Sequence, residues 1–174
     1  MRAMMQNVSP AWVLLAALVL DAVIGDPYAL YRAVPHPVAL LGRAIAALDA
    51  AWNRLERSRR TRRLLGVLLL ATMVFVMLAI GGLIVALAAR IPYGWLIEAL
   101  AVYVLIAQQS LYLHVRAVAR ALETDGLAAG RRAVGMIVGR DPETLDEAGV
   151  CRAAVESCAE SFADGVVSPI FWYV

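Results

Sequence analysis

The chain of 174 residues contains little of what several large protein classes require. Its two cysteines are too few for a secreted scaffold held by disulfides, and there are only two histidines. It lacks the glycine-rich phosphate loop, the nucleophile elbow and the Cys and His motifs typical of P-loop ATPases, serine hydrolases and zinc enzymes. Its 16 basic residues, all arginine, nearly balance 14 acidic ones, so no nucleic-acid partner is predicted.

Apolar residues, in contrast, are in excess. They make up 62% of the chain against 17% charged residues, whereas soluble domains average roughly half apolar and a quarter charged. This composition predicts an all-α fold, a multi-pass integral membrane protein with cytoplasmic helical loops. We treat residues 1–174 as a single membrane domain.

Two adjacent stretches in the middle of the chain are predicted to span the membrane. Residues 64–89 carry no charge and, at about 1.5 Å per residue, can cross a hydrocarbon core of about 30 Å. Residues 91–113 contain Glu98, which has to face protein or water rather than lipid. A proline and a glycine within residues 90–94 predict a tight turn between the two spans.

The two ends of the chain are also apolar. Residues 8–25 hold Asp21 and do not show a signal-peptide cleavage pattern, so we predict a retained span. From residue 166 the sequence turns apolar again, and we expect a further span of which this chain contains only the start.

Arginines concentrate in residues 54–63 and 116–152. Basic residues near span ends are retained on the cytoplasmic side, so both polar segments are predicted cytoplasmic, with the turn at residues 90–94 outside. The cluster at residues 54–63 is explained by this anchoring, or alternatively by binding of an anionic ligand or lipid headgroup.

The first segment with residues suited to chemistry extends from Asp21 to Arg43. A carboxylate within an apolar run, as at Asp21, indicates a functional or buried, paired group. Asp26 precedes a proline and fits either a turn or a site. His36 lies between two prolines, which predicts a rigid, extended loop, and residues 38–55 are predicted to form an amphipathic helix.

The second segment is the sequence V-G-R-D-P at residues 138–142. A helix from about Leu127 is expected to end at Gly139. Arg140 offers five donors to a carboxylate or phosphate, while Asp141 can cap the structure that follows.

The third segment is a predicted helix over residues 151–165, where Glu156, Glu160 and Asp164 recur every four residues on one face. Adjacent like charges destabilise a helix unless something offsets them. A hard cation such as Mg²⁺ would do so, and a solvated acidic face is the alternative.

In this order, the three segments resemble the adenosylcobinamide-phosphate synthase family of cobalamin biosynthesis, the CobD/CbiB integral membrane proteins. The resemblance rests on D-x-x-x-G-D-P at residues 21–27, P-H-P-V at 35–38 with G-R at 42–43, V-G-R-D at 138–141, and the acidic helix with its following proline at 155–169. Ser157 and Ser161 replace the usual Thr and Asn. The family is nearly twice as long, so we expect the amino-terminal half, inactive by itself.

The resemblance implies ATP-dependent amide ligation of adenosylcobyric acid with aminopropanol or aminopropanol phosphate, in the bacterial inner membrane. It implies Mg²⁺ and ATP as cofactors, a corrinoid substrate, contact with membrane lipid and with other cobalamin-pathway enzymes. The implied residue roles are metal binding by Glu156, Glu160 and Asp164, substrate binding by Asp21, Arg43 and Arg140, and catalysis by His36, Asp26, Arg140 and Asp141.

A different function class stays open: a non-catalytic membrane scaffold or transporter half with a polar path at Asp21 and Glu98.

Overall fold

The computed structural model describes residues 8–139 and 141–174, and the regular structure in these ranges is entirely helical, as expected. In chain order, the elements are α1 (Pro10–Ile24), α2 (Tyr28–Ala33), α3 (Pro37–Trp52), α4 (Arg59–Ala88), α5 (Trp95–Tyr103), α6 (Gln108–Asp125), α7 (Leu127–Val134), α8 (Glu147–Phe162), a π turn (Ala163–Val167) and α9 (Ser168–Tyr173). They fall into two compact units. The first unit contains Tyr28–Glu98, and the second contains Ser9–Pro27 and Ala99–Val174.

The first unit is dominated by α4, a helix of 30 residues. It begins where the Ser58 side chain accepts a hydrogen bond from the Thr61 amide, at 3.2 Å. Among its residues only Ala88 is buried, and most of its large apolar side chains are exposed, although α3 packs against its amino half. The helix predicted over residues 64–89 is therefore confirmed, and α3 confirms the amphipathic helix predicted over residues 38–55.

Two helical stretches of the described chain are long and apolar enough to cross a membrane, Arg59–Ala88 and Trp95–Asp125. The second overlaps the span predicted over residues 91–113 and consists of two helices, α5 and α6, because the chain leaves helical geometry at residues 104–107. There, the Ala107 amide donates to the carbonyl of Gly165, at 3.0 Å, rather than to a carbonyl of its own helix. A contact between residues distant in sequence thus accompanies a break in the helix within this apolar stretch.

Helix α1 has 15 residues and extends about 22 Å, less than the roughly 30 Å of a hydrocarbon core. It is shorter than the segment predicted over residues 8–25. One stripe of α1 is buried, namely Val13, Ala17 and Asp21. Ala17 packs in one core with Val102, Tyr103 and Ile106.

The remaining helices of the second unit form another core, made of Val118, Val134, Val150, Ala153 and Ala154. Helix α7 approaches α6 closely at Gly130, where a Cβ atom would collide with the side chain of Leu122. Helix α7 ends at Val134, earlier than the predicted end at Gly139. The loop that follows is bonded to α7 through Arg131, whose Nε donates to the Leu145 carbonyl at 2.7 Å.

Candidate functional site

The carboxyl end of α1 and the amino end of α6 satisfy each other's free backbone groups. Asp21 is 1% exposed, and its Oδ2 accepts a hydrogen bond from the Gln109 amide at 3.0 Å. The first amides of a helix have no partner within the helix, so a buried carboxylate at this place is well matched. Asp21 is thus a buried, partnered group, as the sequence indicated.

In turn, side chains of α6 donate hydrogen bonds to carbonyls near the end of α1. Gln108 Nε2 donates to the Leu18 carbonyl at 2.7 Å, and Gln109 Nε2 donates to the Ala22 carbonyl at 3.1 Å. The Tyr103 hydroxyl donates to the Gly25 carbonyl. We call this set of contacts the junction; its residues are Asp21, Gly25, Tyr103, Gln108 and Gln109.

Gly25 has a role in the junction that other residues cannot fill. Its φ of 59° and ψ of −148° lie in a region that residues with a Cβ atom rarely adopt. A Cβ atom here would also overlap Oε1 of Gln109. The backbone at this position therefore favours glycine, and a larger residue would also displace the end of the Gln109 side chain.

The π turn also contacts the segment that leads into α6. The hydrogen bond from the Ala107 amide to the Gly165 carbonyl joins the π turn to the residue before α6. A Cβ atom on Gly165 would lie 3.4 Å from that of Ala107, so the two backbones approach closely. Two of the motifs noted in the sequence, D-x-x-x-G-D-P and the acidic helix, therefore meet at residues 107–109.

Exposed carboxylates flank the junction at both ends. Asp26 directly follows Gly25 and lies close enough to Asp21 for their charges to repel. Asp164 directly precedes Gly165, and both Asp26 and Asp164 are exposed. Glu156 and Glu160 are exposed on α8, which leads into the π turn.

The metal-binding prediction for Glu156, Glu160 and Asp164 has only partial geometric support. In residues 8–139 and 141–174, no three His, Cys, Asp or Glu side chains are grouped so that they could hold a metal ion. The three acids therefore do not form a preformed triad. Mg²⁺ often binds through one or two carboxylates plus substrate phosphates, so a preformed triad is not required. The metal role stays a prediction.

His36 and Arg43 belong to the first unit. His36 precedes α3, with extended backbone as predicted, and its Nδ1 accepts a hydrogen bond from the Val38 amide at 3.2 Å. Its ring also packs edge-on against Tyr31, with centroids 4.5 Å apart. The neutral ring then carries its proton on Nε2 and presents a donor there. Arg43 is exposed on α3.

The V-G-R-D-P segment has local capping roles. Arg140, predicted to bind an anion, lies outside the described residues. Asp141 Oδ1 accepts a hydrogen bond from the Glu143 amide at 3.0 Å, which closes a turn over the intervening proline. Asp146 then caps α8 by accepting from the Gly149 amide at 2.7 Å. Asp141 thus shapes the loop before the acidic helix.

Gln108, Gln109 and Tyr103 were not predicted as site residues. The sequence did show a polar cluster within an apolar stretch, and polar groups there require partners. Spacing alone does not reveal that those partners are the carbonyls of α1, about 90 residues earlier in the chain.

Comparison with known proteins places these motifs in one family. The model of the CobD/Cbib protein family matches residues 14–174. The chain belongs to the CobD/Cbib family. Among its relatives, the cobalamin biosynthesis protein CobD of a Sinorhizobium species is 50% identical over 162 residues, which cover 92% of this chain and 50% of the relative. No solved structure gives a significant match.

Other CobD/Cbib relatives match over a similar share of this chain. The CobD protein of Rhizobium meliloti (strain 1021) is 47% identical over 92% of this chain and 50% of its own length. That of Rhodobacter capsulatus is 43% identical over 93% of this chain and 51% of its own length. The chain spans about half the length of the curated relatives it matches, and the matched region includes the whole junction.

Proposed function

We propose that this chain is the amino-terminal half of a membrane enzyme of cobalamin biosynthesis. The complete protein would join a propionate carboxylate of adenosylcobyric acid to aminopropanol or aminopropanol phosphate at the expense of ATP. Membership of the CobD/Cbib family and the names of the relatives support the pathway. The ligation is the reaction that the sequence resemblance implies.

One observation carries the proposal: two separate acidic motifs of the chain meet at residues 107–109, the first through Asp21 and the second through Gly165. A scaffold would need neither the exposed carboxylates beside Gly25 and Gly165 nor a buried carboxylate that caps α6 next to them. An enzyme that binds a metal-phosphate complex needs acids on a rigid support.

The chemistry requires activation of a carboxylate, which is a poor acyl donor. ATP supplies this by transferring phosphate to the carboxylate, and Mg²⁺ offsets the phosphate charge. The amine nitrogen then forms the amide bond, phosphate leaves and the amine loses a proton. Glu156 and Glu160 are our candidates for the metal, and Arg43 and Arg140 are suited to phosphate or corrinoid carboxylates.

Two residues, His36 and Asp26, are candidates for the base that takes the proton of the amine. His36 uses the Nδ1 lone pair as a helix cap, so accepting a proton there would cost that hydrogen bond. Asp26 is exposed next to the rigid Gly25 turn. We therefore propose Asp26 as the group that takes the amine proton, and His36 as a positioning residue that sets the start of α3.

We further propose that the protein is multi-pass in the bacterial inner membrane, with lipid around α4. The exposed apolar side chains along that helix support this placement. Substrates would be a corrinoid and aminopropanol or its phosphate. Other enzymes of the same pathway are proposed as partners.

The test uses the complete protein, reconstituted in lipid, with adenosylcobyric acid, ATP, Mg²⁺ and aminopropanol phosphate. We expect Glu160→Gln to lower the rate of product formation by about 100-fold or more, because a neutral amide is a weak ligand for Mg²⁺. Glu123→Gln, which removes an exposed carboxylate on α6, serves as the matched control and is expected to keep the wild-type rate. Equal rates for Glu160→Gln and the wild type would leave α8 with a merely solvated acidic face.

A further inference from the structure

The amino end of α4 carries a dense positive charge that the ligation reaction does not use. Ten residues, 54–63, contain six arginines and one glutamate. The arginines are Arg54, Arg57, Arg59, Arg60, Arg62 and Arg63. One of them is held locally, since Arg57 Nη1 donates to the Trp52 carbonyl at 2.8 Å.

Three of these arginines surround a concave surface. Arg59, Arg60 and Arg63 are exposed on the first turns of α4 and line an open cavity of about 650 Å³. The positive end of the helix dipole adds to their charge. Guanidinium groups bind phosphate through paired hydrogen bonds, so the cavity suits a phosphate group.

Arg62, in the same arginine-rich segment, adds a donor without a partner among the described residues. Its Nε atom is buried, and the described part of the chain offers it no hydrogen-bond acceptor. It lines a smaller cavity of about 130 Å³ together with Asp49, Trp52 and Asn53. A buried donor without a partner is destabilising, so an oxygen-rich ligand or water next to it would be favourable.

The surface that follows the arginines identifies the kind of anion. Leu64 comes directly after Arg63, and the exposed fractions of Leu64, Val67 and Leu70 are 62%, 60% and 63%. A soluble phosphate compound would contact the arginines only. A phospholipid would contact both surfaces, with its phosphate at the arginines and its acyl chain along α4.

We propose that Arg59, Arg60 and Arg63 bind the headgroup of an anionic phospholipid, an inference that rests on the proposed membrane location. The site holds the amino end of α4 at the level of the lipid phosphates. It is distinct from the acids of the second unit and takes no part in the ligation.

The test is a lipid titration of the full chain, purified in dodecylmaltoside. Native mass spectrometry counts bound dioleoylphosphatidylglycerol or dioleoylphosphatidylcholine. We expect the triple variant Arg59→Gln/Arg60→Gln/Arg63→Gln to lower the affinity for phosphatidylglycerol roughly 100-fold and to leave phosphatidylcholine binding unchanged. A single Arg63→Gln change should lower it roughly fivefold, and circular dichroism checks that each variant keeps its helical content.

The matched control is Arg116→Gln/Arg120→Gln/Arg132→Gln, which removes the same charge from exposed positions of α6 and α7. It should leave the affinity within about twofold, because a diffuse charge effect is small and screened. An equal loss in both triple variants, or no loss in the first, would overturn the proposal. Displacement of phosphatidylglycerol by millimolar inorganic phosphate at constant ionic strength would also overturn it, in favour of a soluble phosphate ligand.

Failure of the proposed function gives a different result. Glu160→Gln should keep the preference for phosphatidylglycerol even when ligation is lost. A complete protein that shows the lipid preference but no ligase activity would refute the proposed function alone. Carbonate extraction of cell membranes tests the membrane location separately, because an integral protein stays in the pellet.

Discussion

Helices α1 and α4 are both strongly apolar, yet they are used in opposite ways. In α4, which has 30 residues, only Ala88 is buried. In α1, which has 15 residues, Val13, Ala17 and Asp21 form a buried stripe. Apolar composition therefore does not distinguish a helix that needs lipid from one that has a protein partner.

The difference lies in where polar groups interrupt the apolar run. Charged residues of α4 are confined to its amino end, and Thr72, farther along, bonds to a carbonyl of its own helix. In α1, a carboxylate lies within the run, and its contacts with Gln109 order the backbone around Gly25. A buried polar group in an apolar helix thus marks the part of this chain that positions functional residues.

The largest effect is expected from Gly25→Ala. It adds strain in a backbone region reserved for glycine and displaces the Gln109 side chain, at a total cost of about 3–5 kcal/mol in unfolding free energy. Gly126→Ala is the matched control, since Gly126 has a similar backbone, with φ of 76° and ψ of −172°, and no atom near its would-be Cβ. It should cost only the strain, about 1–3 kcal/mol. Thermal unfolding in detergent checks which of the two variants loses more stability. Equal losses of stability would argue against the Gln109 contact.

The next effect is that of Asp21→Ala. Removing the acceptor leaves the partly buried Gln109 amide without its partner and should cost about 2 kcal/mol. Asp21→Asn keeps an acceptor oxygen and should lose less than half as much. Asp125→Ala, at an exposed position at the end of α6, should not destabilise, because a negative charge there opposes the helix dipole. The same unfolding assay applies, and a stable Asp21→Ala variant would remove Asp21 from the junction.

A smaller effect on stability is expected from a matched pair of substitutions that compares the packing of α1 with that of α4. Val13→Ala removes two buried methyl groups and should cost about 1.5 kcal/mol. Val74→Ala makes the same chemical change at a half-exposed position of α4 and should cost less than about 0.5 kcal/mol. Chemical denaturation of both variants in one detergent gives the comparison. A large loss for Val74→Ala would mean that α4 has a protein partner.

Local patterns were sufficient for much of the fold. Amphipathic spacing predicted α3, unbroken apolar sequence predicted α4, and the acidic repeat predicted α8, because each depends on residues within a few turns. The carboxylate of Asp21 was correctly interpreted as buried and partnered, since lipid exposure would be costly.

Long-range contacts explain the features that local patterns did not predict. The interruption at residues 104–107 depends on a hydrogen bond from Ala107 to Gly165, and hydropathy contains no information about such a contact. The Gln108 and Gln109 partners lie on α1 for the same reason. Within the candidate site, the role of His36 as a cap is local and could have been predicted from the following proline, which often begins a helix.

The junction itself is tested most directly by a double-mutant cycle between Gly25→Ala and Gln109→Ala. If a Cβ atom at residue 25 collides with the Gln109 side chain, shortening that side chain relieves the collision. We expect the cost of Gly25→Ala to fall by about 1–2 kcal/mol in the Gln109→Ala background, to the value measured for Gly126→Ala. Additivity of the two changes to within about 0.5 kcal/mol would contradict the account, because the two residues would then not be in contact.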